Sequence, residues 1–149
     1  SAIIAGVFSI LMAILLLSFS VNSYGQAQTH TVTLHVNTAE INQRNISTTC
    51  NFGQAEGISN EEFTIEVNVG DTIIWQGISS SSDTDVVNIT KIKYERGTNV
   101  FNGDEYEGTS TIVGKVLRKT GDQDYKYIIS FKINNKRATY SIDPKVIVR

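Results

Sequence analysis

The sequence predicts an all-β protein: a two-sheet, Greek-key-type sandwich of about seven or eight short strands, preceded by an apolar N-terminal helix. Three observations lead to this fold class. Apolar and polar side chains alternate repeatedly after residue 28, turn residues recur at intervals of about ten residues, and no later stretch keeps the 3.6-residue period of a long helix. A chain of 149 residues, 40% of them hydrophobic, is large enough for one such domain with a core.

The N-terminal segment predicts export. Residues 2–21 are apolar apart from serines and one glycine, and residues 1–28 contain no charged side chain. Three interpretations remain open: a signal peptide cleaved before Gln26 or Gln28, a retained membrane anchor, and the packed helix of a pilin-like filament. We therefore divide the chain into residues 1–27 and a β-sandwich domain of residues 28–149. In all three cases we expect the domain to be extracytoplasmic, meaning secreted, periplasmic or on the cell surface.

In the first half of the domain, alternation predicts three strands. Residues 30–36 and 63–69 each place apolar side chains on one face: Val32, Leu34 and Val36 in the first, and Phe63, Ile65, Val67 and Val69 in the second. A Gly70-Asp71 turn leads into a third strand over residues 72–76. The segment between the first two strands, residues 37–60, is predicted to be a polar loop.

The second half contains the clearest strand, residues 125–133. It alternates over five positions, namely Tyr125, Tyr127, Ile129, Phe131 and Ile133. Further strands are predicted over residues 86–95, 112–118, 137–142 and 145–149, with polar loops at 79–85 and 102–111. In residues 86–95 the alternation slips between Ile89 and Ile92, which predicts a β-bulge.

The candidate core is centred on the single tryptophan. We expect Trp75 to be buried between the two sheets together with four aliphatic or aromatic side chains: Ile65, Val67, Ile129 and Phe131. The alternative is an exposed sugar-binding platform formed by Trp75 and the tyrosines. Burial is favoured because these aromatic residues share strand faces with aliphatic ones.

Two segments resemble known sandwich families. Residues 69–77, VGDTIIWQG, resemble the cupredoxin-like strand in which a Gly-Asp turn leads to a tryptophan. Residues 121–127 and 140–148 resemble the closing hairpin of cupredoxin-like or immunoglobulin-like domains. The resemblance implies such a sandwich without copper, because a blue-copper site requires Cys, His and usually Met in the last loop. Residues 134–145 contain none of these, and Gln76 and Gly77 follow Trp75.

The sequence predicts no metal or cofactor site. His30 and His35 are five residues apart on one strand and so point to opposite faces, where they cannot bind one ion together. Cys50 is the only cysteine, which excludes an internal disulfide and favours a buried thiol. Acidic segments at residues 83–85, 102–107 and 122–124 offer oxygen ligands, but none matches an EF-hand, and calcium binding stays open.

The sequence also argues against an enzyme. It contains no nucleophile elbow, dinucleotide fingerprint, P-loop, HExxH or CxxC motif. A pair of carboxylates for glycoside hydrolysis is formally available, but a sandwich of this size rarely supplies the cleft. The acidic candidates are Asp83, Asp85, Asp104, Glu105 and Glu107.

The sequence predicts a binding function. The 13 basic and 15 acidic side chains give a net charge of −2 and no basic face for nucleic acid. We therefore expect a non-enzymatic exported module that binds an unidentified protein or glycan through its surface or an edge. The alternative is a pilin-like filament subunit with residues 1–25 as its core helix. Membrane contact and self-assembly are expected only if those residues are retained.

Overall fold

A computed structural model describes residues 25–149. The apolar segment of residues 2–21, and with it the predicted N-terminal helix, lies outside the described residues. The regular secondary structure of the described part is almost entirely β, with one four-residue helix. Its elements are β1 (Thr29–Val36), α1 (Ile46–Thr49), β2 (Cys50–Asn51), β3 (Thr64–Val67), β4 (Thr72–Ser79), β5 (Val87–Arg96), β6 (Glu105–Glu107), β7 (Ile112–Lys115), β8 (Tyr125–Ile133), β9 (Tyr140–Ile142) and β10 (Lys145–Val148). Within residues 25–149 no helix has the length and apolar character needed to cross a bilayer.

The strands form two sheets, so the predicted all-β sandwich is confirmed. One sheet has the order β2-β1-β4-β7, and the other has the order β3-β10-β8-β5-β6 with β9 beside β8. Both sheets are mixed, because β1 runs parallel to β4 and β3 runs parallel to β10. Within residues 25–149 there are ten strands, where about seven or eight were predicted. The short strands β2 and β6 lie in segments predicted to be loops, since they are too brief to show a pattern.

The core lies between the two sheets and is centred on Trp75 of β4. The Trp75 indole Nε1–H donates to the Tyr127 hydroxyl of β8 at 3.0 Å, and its ring packs edge-on against Phe101 at 5.5 Å. Gly114 of β7 leaves room for both rings, because a Cβ there would lie 3.0 Å from each of them. Of the other predicted core residues, three are buried and one, Ile65, is half-buried against the core; the three are Val67, Ile129 and Phe131.

The structure confirms one predicted local feature of the strands, adds a turn geometry, and corrects one assignment. The register of β5 against β8 shifts between Ile89 and Lys91, where the sequence pattern slips. Asn134 and Asn135 take left-handed φ values of 50° and 53°, which suit the tight turn from β8 to β9. The assignment of Val69 to the buried face was wrong, because β3 ends at Val67 and the Val69 side chain is 45% exposed.

Candidate functional site

The side of β1 that faces away from β4 is the candidate site. The register between the two parallel strands is continuous over their whole length. The Gln28 carbonyl accepts a hydrogen bond from the Thr72 N–H, and the Val36 carbonyl accepts one from the Ser80 N–H, both at 2.9 Å. Backbone groups of successive strand residues point to opposite sides in the plane of the sheet. Even-numbered residues of β1 therefore bond to β4, and odd-numbered residues point away from it.

Only the last part of β1 is covered on that outward side. The short strand β2 pairs with His35 and Val36, and the Asn37 N–H donates to the Thr49 carbonyl. Among the described residues, no strand pairs with the preceding part of β1 on this side. The outward backbone N–H and C=O groups of Thr29, Thr31 and Thr33 are therefore unpaired within residues 25–149. We call these three residues the β1 edge.

The chain leaves the β1 edge open because it turns away after β2. Gly53 has a left-handed φ of +77°, and its N–H donates to the Asn51 side chain at 2.9 Å. Phe52 stacks on Phe63 with ring centroids 4.6 Å apart, next to the start of β3 in the other sheet. The segment that would otherwise extend β2 along β1 therefore crosses to the second sheet.

A buried carboxylate holds the start of β1 in place. Asp71, in the turn before β4, accepts hydrogen bonds from the Gln28 N–H at 3.0 Å and the Asn68 N–H at 2.9 Å. Its Oδ2 lies 2.7 Å from the His30 Nε2. The two backbone N–H groups and, to a smaller extent, His30 hold the pKa of Asp71 below its ordinary value. Sequence reasoning identified Asp71 only as a turn residue and missed this anchor, although aspartate in a turn commonly accepts backbone N–H groups.

The outer face beside the β1 edge is uncharged. Neither β1 nor β4 contains a charged residue if histidine is neutral. Thr31, Ile74 and Val113 lie opposite one another on β1, β4 and β7 and form one row across the sheet. The Val113 side chain is 55% exposed. Ile78 of β4 lies opposite His35 and is 44% exposed. A strand added to the β1 edge would thus extend a threonine- and isoleucine-rich surface.

Three other outermost strands, β6, β3 and β7, carry charges. In β6, Glu105 lies 2.5 Å from the Lys91 ammonium of β5. In β3, Glu66 lies 2.6 Å from the Arg149 guanidinium, and β7 ends at Lys115. Natural proteins use short edge strands and charged side chains to prevent pairing with other chains. β1, by contrast, is eight residues long and contains no Lys, Arg, Asp or Glu.

The remaining predicted site residues do not form a reactive centre. His30 contacts Asp71, whereas His35 lies opposite Ile78, so the structure does not bring the two histidines together. Burial raises the pKa of Cys50 to about 11. Asp85 accepts hydrogen bonds from Thr38 and Asn134 and thereby connects loops. Within the described part of the chain, no group of three or more His, Cys, Asp or Glu side chains is placed to hold a metal ion.

No protein-family model and no curated protein matches the chain. Among solved structures, the chain is similar to a cysteine protease inhibitor from Entamoeba histolytica, with a TM-score of 0.39 and 14% sequence identity. The similarity covers 84% of this chain and 99% of that one.

Proposed function

We propose that this protein is a non-enzymatic binding module that takes up an extended segment of a protein partner at the β1 edge. The observation that carries the proposal is the row of unpaired backbone groups at Thr29, Thr31 and Thr33. In β-strand addition, such a row supplies main-chain hydrogen bonds, and the neighbouring side chains supply specificity. A protein partner suits this edge better than a glycan, because only a polypeptide offers donors and acceptors at the matching repeat.

The position of β2 suggests how the partner segment lies. β2 runs antiparallel to β1 beside His35 and Val36. We propose that a partner strand continues the line of β2 along β1 in the same antiparallel direction. The open part, Thr29 to Leu34, spans roughly 20 Å at about 3.3 Å per residue. Each new backbone hydrogen bond would contribute about 0.5–1.5 kcal/mol net.

The cellular setting is a separate part of the proposal. The apolar, uncharged residues 2–21 support export of the domain, with the open edge exposed outside the cytoplasm. The filament alternative depends on residues 1–25 as a packed helix, and nothing in residues 25–149 favours it.

The test is selection of binding peptides from a phage-displayed library of random dodecapeptides. Thr31→Pro removes an outward N–H without removing a bond to β4, and residue 31 is already in extended backbone. The matched control is Thr31→Val, which keeps the N–H and changes only the hydroxyl to a methyl group. We expect selected peptides to lose at least tenfold in affinity for Thr31→Pro and to retain affinity for Thr31→Val.

Hydrogen exchange locates the bound peptide. Selected peptides should slow exchange of the Thr31 and Thr33 amides and leave those of β6 unchanged. Equal binding to both variants, protection confined to other strands, or failure to select any peptide would each overturn the proposal. As a control, circular dichroism and the unfolding midpoint are measured to check that Thr31→Pro is folded.

A further inference from the structure

Three cationic residues form one row across the outer face of the second sheet. Lys126 of β8 lies directly opposite Arg96 of β5 on one side and Lys145 of β10 on the other. Directly opposed residues of antiparallel strands have Cβ atoms about 4.5–5.5 Å apart, and like charges in such pairs are destabilising. The stability of the sheet therefore does not explain this row.

The row lines a cleft of about 350 Å³ next to Gly97, Gln123 and Asp124. Gly97 has a φ of +83°, and a Cβ on it would come within 1.8 Å of the Asp124 carbonyl oxygen. The Tyr94 hydroxyl donates to the Gly97 carbonyl. The hydrogen bond from Tyr94 and the close approach to Asp124, which leaves no room for a Cβ, define the backbone beside Arg96 and thus one wall of the cleft.

The charges of the cleft are not balanced. The buried Lys126 ammonium donates to the carbonyls of Glu61 and Asp143 and lies 3.4 Å from the Asp143 carboxylate. Its hydrogen-bonding capacity is therefore used within the protein. Arg96 and Lys145, by contrast, form no ion pair with any residue in the described range 25–149. Asp124 contributes the one carboxylate of the lining.

We propose that this cleft binds an oxyanion of the phosphate or sulfate class. The Arg96 guanidinium and the Lys145 ammonium would donate to it, and Lys126 would contribute positive charge from beneath. Arginine suits this role because its planar fork binds oxyanions through two parallel hydrogen bonds. The cleft lies on the sheet opposite the β1 edge and is independent of the function proposed for that edge.

The test is equilibrium dialysis of the 149-residue chain against radiolabelled inorganic phosphate and, separately, sulfate at constant ionic strength in chloride. We expect saturable binding of at least one of the two, which also identifies the preferred anion. The double variant Arg96→Gln/Lys145→Gln should weaken binding at least tenfold. Lys93→Gln/Lys132→Gln removes the same charge outside the cleft and should change binding less than twofold.

A third variant should change the affinity for the anion in the opposite direction. Asp124→Asn removes the carboxylate of the lining and should tighten anion binding severalfold. Binding that does not saturate, that follows net charge equally in both double variants, or that weakens in Asp124→Asn would overturn the proposal. As a control, circular dichroism is measured for each variant to check that the fold is retained.

Discussion

The β1 edge and the β6 edge are both unpaired on one side, yet they differ in length and charge. β6 is three residues long and carries Glu105 and Glu107, both within 4 Å of the Lys91 ammonium. β1 is eight residues long and contains no Lys, Arg, Asp or Glu. A strand that approached β6 would have to displace water from an ion pair, whereas one that approached β1 would meet threonines. The contrast shows that this fold protects one edge and leaves another accessible.

The β1 and β6 edges depend on the same core. A substitution in that core should therefore lower the stability most. Trp75 lies on β4 next to β1 and bonds to Tyr127 of β8, which is next to β5 and so close to β6. Trp75→Ala should lower the free energy of unfolding by about 3–5 kcal/mol, measured by urea denaturation. Both edges should then lose their order together.

Val113→Ala is the control for Trp75→Ala, since Val113 is 55% exposed on β7. Its effect should stay within about 0.5 kcal/mol. A Trp75→Ala effect below about 1 kcal/mol would contradict the buried position of the indole.

The second effect concerns the anchor that holds the start of the β1 edge. Asp71→Ala leaves the Gln28 and Asn68 N–H groups without their acceptor. We expect a loss of about 1–3 kcal/mol, because two part-buried backbone N–H groups lose hydrogen bonds to a charged acceptor. Asp71→Asn, which keeps one acceptor oxygen, should lose less. If both variants are as stable as the wild type, the carboxylate does not anchor β1.

The Asp71 anchor also predicts that the stability of the fold depends on pH. Because the pKa of Asp71 is lower in the folded protein than its ordinary value of 3.8, the ionised carboxylate stabilises the fold above that pH. This contribution is lost as the pH falls through the folded-state pKa. The stability difference between wild type and Asp71→Ala should therefore shrink when unfolding is measured below about pH 3.8. A stability difference that grows as the pH falls would contradict this prediction.

Sequence patterns predicted which face of a strand is buried, but not which strands lie next to each other in a sheet. Period-two alternation identified the buried face of β8 because Tyr125 to Ile133 continue without interruption. It could not show that β1 pairs parallel to β4, because alternation gives the face of a residue and not the identity of its partner strand. The open β1 edge depends on where β2 stops, and Gly53 decides this. The row of Arg96, Lys126 and Lys145 depends on a register shift after Tyr94, which no single-sequence pattern specifies.

Removing the charges of β6 would sharpen the comparison. Glu105→Thr/Glu107→Thr gives β6 the side chains of the β1 edge and removes the pairing with Lys91. We expect little change in unfolding free energy, because exposed ion pairs contribute little. We also expect concentration-dependent self-association in analytical ultracentrifugation. The converse variant, Thr31→Lys, should reduce peptide binding at β1. A monomeric double variant at every concentration would show that charge does not protect β6.

The last prediction concerns β2, the short strand that covers the end of β1. Cys50 of β2 lies opposite Val36, and burial raises the pKa of its thiol to about 11, opposed in part by a hydrogen bond from Thr49. At pH 8 roughly one thiol in a thousand would be ionised, and only the thiolate reacts. Alkylation by iodoacetamide should therefore be at least a hundredfold slower in the folded chain than in urea, with mass spectrometry as the readout. Thr31→Val should leave this rate unchanged. Rapid alkylation of the folded protein would show that β2 separates from β1, and the accessible edge would then extend to His35.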